Sequence, residues 1–205
     1  MYLCPDCAGK IDVIGKIACK RCGAPLDSEI CGECRGKRFH FDSANCYGYY
    51  AGVLREAIHQ YKYSGNRQLA PQLGSILSTT WKERDQQIEV DFIVPVPIHR
   101  QRERERGFNQ SLLLAEIVSK DLSLPVLQHG LLRTRATKPQ VNLALEDRGN
   151  NVKGAFTPGS DSVEGKNLIL IDDVFTTGMT LDEAAKTLKT AGAASVHALV
   201  LARSL

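Results

Sequence analysis

Apolar positions along most of the chain follow one of two periods. From about Val53, Leu54, Ile58 and Tyr61 fall at helical spacing, and Leu69, Leu73, Ile76 and Leu77 predict a second helix running to Trp81. A Ser64-Gly65-Asn66 turn separates them, and a short aromatic strand around Ala44 to Tyr50 precedes them. Asp91 to Ile98 is an apolar run suited to a buried strand as far as Val94, because Pro95 and Pro97 have no amide to donate to a ladder. After Gly107, Phe108 and Asn109 the residues Leu112, Leu113, Ile117 and Val118 predict another helix, and Leu122 to Leu132 supplies a further strand. Asn167 to Ile171 then reads as a buried strand, Thr180 to Ala191 as a helix closed by Gly192, and Ser195 to Leu201 as the last strand. Strands alternating with helices predict an α/β fold, a parallel sheet covered on both faces.

Two stretches escape these periods. Arg133 to Thr157 is polar, with Thr134, Thr137, Pro139, Gln140, Asn142, Asn150 and Asn151, and a long polar segment in a compact domain is more often a functional flap than a plain connection. The other is the N-terminus, where six of the seven cysteines form the pairs Cys4/Cys7, Cys19/Cys22 and Cys31/Cys34. A CxxC turn presents two thiolates at one corner of a tetrahedron, so two turns complete a site for structural Zn²⁺ with no position open to water. A redox CxxC needs a strand before it and a helix after it, and the Gly, Pro, Lys and Asp surroundings predict neither. Cys19, Cys22, Cys31 and Cys34 have the tighter ribbon spacing; pairing Cys4 and Cys7 with Cys19 and Cys22 is the alternative. Cys46 stands apart and reads as a packing residue.

Composition narrows this picture. At 205 residues, one α/β domain fits with a small accessory module, here 1–42 as a zinc ribbon and 43–205 as the main domain. No run approaches the ~20 apolar residues needed to cross a bilayer, and Met1 to Cys4 is not a secretion signal, so a cytoplasmic setting is expected. Disulfides would not persist there, which favours metal for the cysteines. A net charge of +3 is too small to indicate nucleic acid. Its distribution is more informative: Arg100, Arg102, Arg104 and Arg106 interleave with Glu103 and Glu105, and Arg133, Arg135 and Lys138 form a second basic stretch. Such short clusters are usually solvated surface. Flanking a phosphate site, they would form a basic funnel for an anion.

The chemistry concentrates in Leu168 to Thr180, a strand, two acids, a small polar loop and a helix start. Thr176, Thr177, Gly178, Met179 and Thr180 can turn amides and hydroxyls towards one phosphate at the helix N-terminus. Asp172 and Asp173, at the strand end, can accept hydrogen bonds from two vicinal ribose hydroxyls. A Walker loop would need a lysine that Gly178-Met179-Thr180 lacks. A tight capped turn would explain one threonine, but not three threonines beside two acids.

This segment resembles the signature of type I phosphoribosyltransferases. The resemblance implies binding of phosphoribosyl pyrophosphate (PRPP) with Mg²⁺, the pair Asp172/Asp173 holding the ribose hydroxyls and serving as the catalytic acids. The whole chain resembles the ComF family of competence-associated proteins, which join a zinc ribbon to a type I phosphoribosyltransferase-like domain. The motifs are the CxxC pairs, Tyr61 to Gly65, Val94 to Pro97, Arg106 to Gln110, Gln140, Arg148 to Val152, Gly154 to Phe156 and the phosphate loop. By that resemblance Val96 to Arg106 occupies the pyrophosphate-loop region with Arg100 or Arg106 facing phosphate, and Arg133 to Arg148 matches a loop that closes over substrate. The family further implies DNA uptake and natural transformation, with contact to single-stranded DNA and to helicase or recombination partners. Lys20, Arg21, Arg35, Lys37, Arg38, Phe39 and Phe41 mix charge with aromatics as such contact requires. The same site also suits an active enzyme passing phosphoribosyl to a nucleobase or other nitrogen nucleophile, or a PRPP sensor. Lys62 is a weaker candidate for a ligand contact and reads more readily as a surface lysine at a helix end.

Overall fold

The computed structural model describes residues 3–15, 17–26, 31–84, 87–135 and 152–204. Of the polar segment, Thr137 to Asn151, including Lys138, Gln140 and Arg148, lies outside the described residues. Elements follow in the order α1 (Pro5–Ala8), β1 (Ser43–Tyr49), α2 (Gly52–Tyr63), α3 (Ala70–Arg84), β2 (Phe92–Pro95), α4 (Arg100–Arg106) and α5 (Gln110–Leu122). The chain continues through β3 (Leu131–Arg133), β4 (Phe156–Pro158), β5 (Asn167–Phe175), α6 (Met179–Thr190) and β6 (Ser195–Arg203).

β1, β6, β5 and β2 form, in that order, a parallel sheet. Successive side chains on a strand point to opposite faces, and the core divides accordingly. Val94, Leu168, Leu170, Val196, Ala198 and Val200 pack on one face with Leu181, Ala184, Ala185 and Leu188 of α6. Ile93, Ile169, Ile171, Leu199 and Leu201 pack on the other with α2, α3 and α5, through Leu54, Ile58, Leu73, Leu77, Leu114 and Val118. The N-terminal segment completes the first layer: Ile14, Cys19, Cys22, Ala24 and Cys34 are buried against Ala44 and Cys46 of β1. Cys46 is fully buried as a packing residue should be, and burial pushes its thiol up to about 12. The α/β architecture expected from the hydrophobic pattern is present, with the cysteine-rich segment serving as part of one covering layer.

Two local expectations need correction, and one helix had no expectation. β5 does not stop at Ile171 but runs four residues on to Phe175. Its neighbour β6 supplies partners all the way, Asp172 opposite Val200 and Phe175 opposite Arg203. β2 ends with Pro95 opposite Ile171, so Asp172 and Asp173 have a strand on one side only. Leu122 to Leu132 is not one strand. Leu122 closes α5, Val126 makes a single bridge to Ile93, and Leu131–Arg133 pairs antiparallel with Phe156–Pro158. Arg100 to Arg106 is a helix, although its alternating charges offer no apolar stripe. His99 Nδ1 caps it by accepting from the Gln101 amide, and Gly107 ends it at φ +78°, a conformation that costs other L-residues roughly 1–2 kcal/mol.

Candidate functional site

Sites in open parallel sheets form beyond the carboxyl ends of the strands, and the loop between β5 and α6 lies there. Asp172 and Asp173 are both buried. Helices on one face of the sheet supply their partners. Ser111 Oγ at the start of α5 donates to Asp172 Oδ1 at 3.1 Å, and the Asp173 amide donates to the same oxygen at 2.9 Å. Lys62 Nζ, in the last turn of α2, lies 2.7 Å from Asp173 Oδ1. Asp173 Oδ2 is buried and accepts no hydrogen bond among the described residues.

These surroundings act on Asp172 and on Lys62. Burial, then the charge of Asp173, pushes the Asp172 carboxyl up to about 7, against the opposing pull of Lys62. Burial alone would lower Lys62, but the charge of Asp173 and its hydrogen bond outweigh it and hold the ammonium above its usual value. The expectation of a surface lysine is therefore wrong: the Lys62 side chain is 16% exposed and is the acid pair's counter-ion. Helical periodicity gives Leu54, Ile58 and Tyr61 an inward face but says nothing of a long stem reaching past the helix end to an acid 111 positions away.

Beyond the acids, Thr176 and Thr177 form the bend and α6 begins at Met179. Gly178, the N-cap, sits at φ +81°, and an added Cβ would lie 2.6 Å from Phe175 Cζ and 3.2 Å from Phe39 Cε1. Only glycine lets the loop lie this close to its aromatic floor. Thr176, Thr177 and Thr180 are half-buried around it and Met179 is exposed.

The two candidate arginines part company. Arg100 lines a 460 Å³ cavity with His99, Pro95, Pro97 and Arg133, beyond the end of β2. Burial lowers Arg133 below its usual value, against the opposing pull of the Asp172 charge. Arg106 lies against the neighbours of the acids' partners: its guanidinium is 5.2 Å from the ring centre of Tyr63, the residue after Lys62, and donates at 2.5 Å to Oε1 of Gln110, the residue before Ser111.

In the N-terminal segment, the sulfurs of Cys19, Cys22, Cys31 and Cys34 lie within 4.8 Å of one another. Zn–S bonds of 2.3 Å make each edge of a tetrahedron about 3.8 Å. Observed edges of 3.7 Å (Cys19 to Cys34) and 3.6 Å (Cys22 to Cys31) fit that ion. Cys4 and Cys7 are outside the cluster, Cys4 as the N-cap of the one-turn helix α1 and Cys7 within it. Of the aromatics expected to face DNA, Phe41 is buried, and Phe39 stacks on it at 4.6 Å, both edge-on to Phe175. Lys20, Arg21, Arg35, Lys37 and Arg38 are exposed.

Comparison with known proteins adds the lineage. A model of the phosphoribosyl transferase domain matches residues 109–205. The chain is 35% identical over 195 residues to DNA utilization protein YhgH of Escherichia coli (strain K12), spanning 93% of this chain and 86% of that protein. Competence protein F of Haemophilus influenzae is 30% identical over 98% of this chain and 90% of its own length. Competence protein ComFC of Bacillus subtilis is 31% identical over 98% and 84%. Among solved structures, glutamine PRPP amidotransferase from B. subtilis superposes with a TM-score of 0.45 at 20% identity, over 68% of this chain and 30% of that one. Among the described residues no helix is long and apolar enough to cross a membrane.

Proposed function

The chain belongs to the ComF family, and from that premise we propose that it is a PRPP-binding protein acting in the handling of DNA during uptake and transformation. The observation that carries this reading is the buried pair Asp172/Asp173, held between Ser111 and Lys62 and followed directly by the Gly178 loop at the start of α6. Asp173 Oδ2 and the Asp172 carboxylate accept the two ribose hydroxyls. Amides and hydroxyls of Thr176 to Thr180 take the 5′-phosphate, and Arg100 with Arg133 faces the pyrophosphate from the neighbouring cavity. Mg²⁺, if bound with PRPP, would neutralise pyrophosphate charge. Residues 1–42, with Zn²⁺ held by Cys19, Cys22, Cys31 and Cys34, form the accessory module, its role structural because four thiolates close the coordination sphere. A thermal-shift titration tests the reading: PRPP with Mg²⁺ raises the midpoint, and ribose 5-phosphate raises it less. An unmoved midpoint removes PRPP from the account.

Contact with single-stranded DNA in this proposal falls to exposed cations, Arg104 on α4 and Lys20, Arg21, Arg35, Lys37 and Arg38 on the N-terminal segment, rather than to Phe39 and Phe41. Binding through phosphates weakens steeply with salt. Oligonucleotide affinity that ignores ionic strength would exclude it.

One observation favours a second reading, true transfer of phosphoribosyl to a nitrogen nucleophile. Asp172, at about 7, can exchange a proton near neutral pH beside the proposed ribose site. The displacement would then rely on positioning and charge stabilisation. Pyrophosphate release on adding nucleobases to the PRPP-bound protein distinguishes transfer from binding alone.

A further inference from the structure

Arg203, the last residue of β6, is 4% exposed and sits between the cysteine cluster and the phosphate loop. Its Nη1 donates to the Cys22 carbonyl at 2.6 Å, on the first knuckle. Its Nη2 lies 3.7 Å from the Glu33 carboxylate, within the second knuckle between Cys31 and Cys34. On the opposite side its guanidinium lies 4.5 Å from the centre of the Phe175 ring. Phe175 pairs with Arg203 across the sheet, and its carbonyl accepts from the Ser204 amide at 2.8 Å. The same ring is the floor against which Gly178 is pressed. A continuous path of contacts therefore runs from both knuckles, through one buried cation, to the residue that shapes the phosphate loop.

We propose that Arg203 couples metal occupancy of the cysteine cluster to the shape of the phosphate-binding loop, so that the metal and a phosphorylated ligand strengthen each other's binding. A metal held by all four cysteines locks the knuckles together, and only then are the Cys22 carbonyl and Glu33 fixed on either side of the guanidinium. When the knuckles separate, Arg203 loses both grips. Left with the Cys46 sulfur and the ring face, the buried guanidinium is poorly satisfied, so it leaves its place over Phe175. Phe175 is then free to shift, and the loop at Gly178, which has no room for a Cβ beside that ring, loses its floor. Coupling between two sites is reciprocal, so a ligand that orders the loop also slows metal loss.

The inference rests on the PRPP reading for its ligand, but its first test needs none. Hydrogen exchange of Phe175 to Thr180 is measured in the zinc-loaded protein, after chelation, and in zinc-loaded Arg203→Met. Exchange in that segment rises about tenfold on chelation, and the variant shows the same rise with its zinc still stoichiometric. Glu33→Gln, at an exposed side chain, gives a smaller rise and guards against a variant that does not fold. The second test follows chelator extraction of zinc with and without PRPP and Mg²⁺. PRPP slows extraction from the wild type by about tenfold, and from Arg203→Met by much less. Unchanged exchange in the zinc-loaded variant, or equal protection of both proteins by PRPP, overturns the coupling. If exchange responds to zinc and Arg203 while PRPP binds neither protein, the coupling stands and the choice of PRPP as ligand fails.

Discussion

The cysteine cluster and the acid pair are both groups of like-charging side chains packed into the molecule, but they are stabilised in opposite ways. The cluster is assembled from four residues spanning Cys19 to Cys34, and its geometry is that of an ion's coordination sphere. The acid pair is two neighbouring residues whose charge is balanced by distant parts of the chain, Lys62 from α2 and Ser111 from α5. A local site of the first kind needs a metal to hold it. One of the second kind needs the tertiary fold, and it is only as stable as the helices that bring its partners.

The largest effect should come from the cluster. Cys22→Ser removes one of four ligands, and since structural zinc contributes on the order of 10 kcal/mol in small metal modules, the variant should lose stoichiometric zinc and cooperative unfolding of the N-terminal segment. Metal analysis with near-ultraviolet circular dichroism reads this out. A Cys4→Ser variant should retain zinc, because its sulfur lies outside the cluster.

Breaking the acid pair's counter-ion comes next. Lys62→Met leaves Asp173 buried beside Asp172, and losing one partner of a buried pair costs roughly 3–5 kcal/mol at most, reduced to the extent that the acids take up a proton. Denaturant midpoints should fall accordingly, and Lys62→Met combined with Asp173→Asn should recover part of the loss. Gly178→Ala follows, at about 1–3 kcal/mol, from the positive φ and the contact with Phe175. The loss should appear in both stability and PRPP affinity.

The remaining effect is in pH. A carboxyl whose folded value is raised from 3.8 to about 7 holds its proton more tightly when folded, so stability declines as pH rises between those values and levels off above. Ribose hydroxyls need the ionised acceptor, so PRPP affinity should change in the other direction and tighten as pH rises through about 7. Affinity that stays flat there would remove Asp172 from the ribose contact. Asp172→Asn should abolish the pH dependence.

What was legible in the sequence follows the same division. Ligand spacing in Cys19 to Cys34 and the order of groups from Leu168 to Thr180 are local patterns, and both marked regions that the structure builds as compact clusters of polar groups. Helices with an apolar stripe, such as α2 and α5, were equally visible. Lys62 was not, because the pairing depends on the approach of α2 to the end of β5. Nor was α4, whose Arg/Glu alternation has no apolar face to give a period. The extent of β5 was missed because two acids look like a strand end, whereas β6 continues beside them to Arg203. Phe39 and Phe41 look like exposed aromatics among cations, and only packing against Phe175 shows that they belong to the loop's floor.

The most direct test is calorimetric titration of the zinc-loaded protein with PRPP and Mg²⁺, compared with Asp172→Asn/Asp173→Asn. The account predicts saturable binding at one site per chain in the wild type, and loss of at least tenfold in affinity in the double variant with its zinc content and fold retained. Equal affinity in both proteins would contradict it.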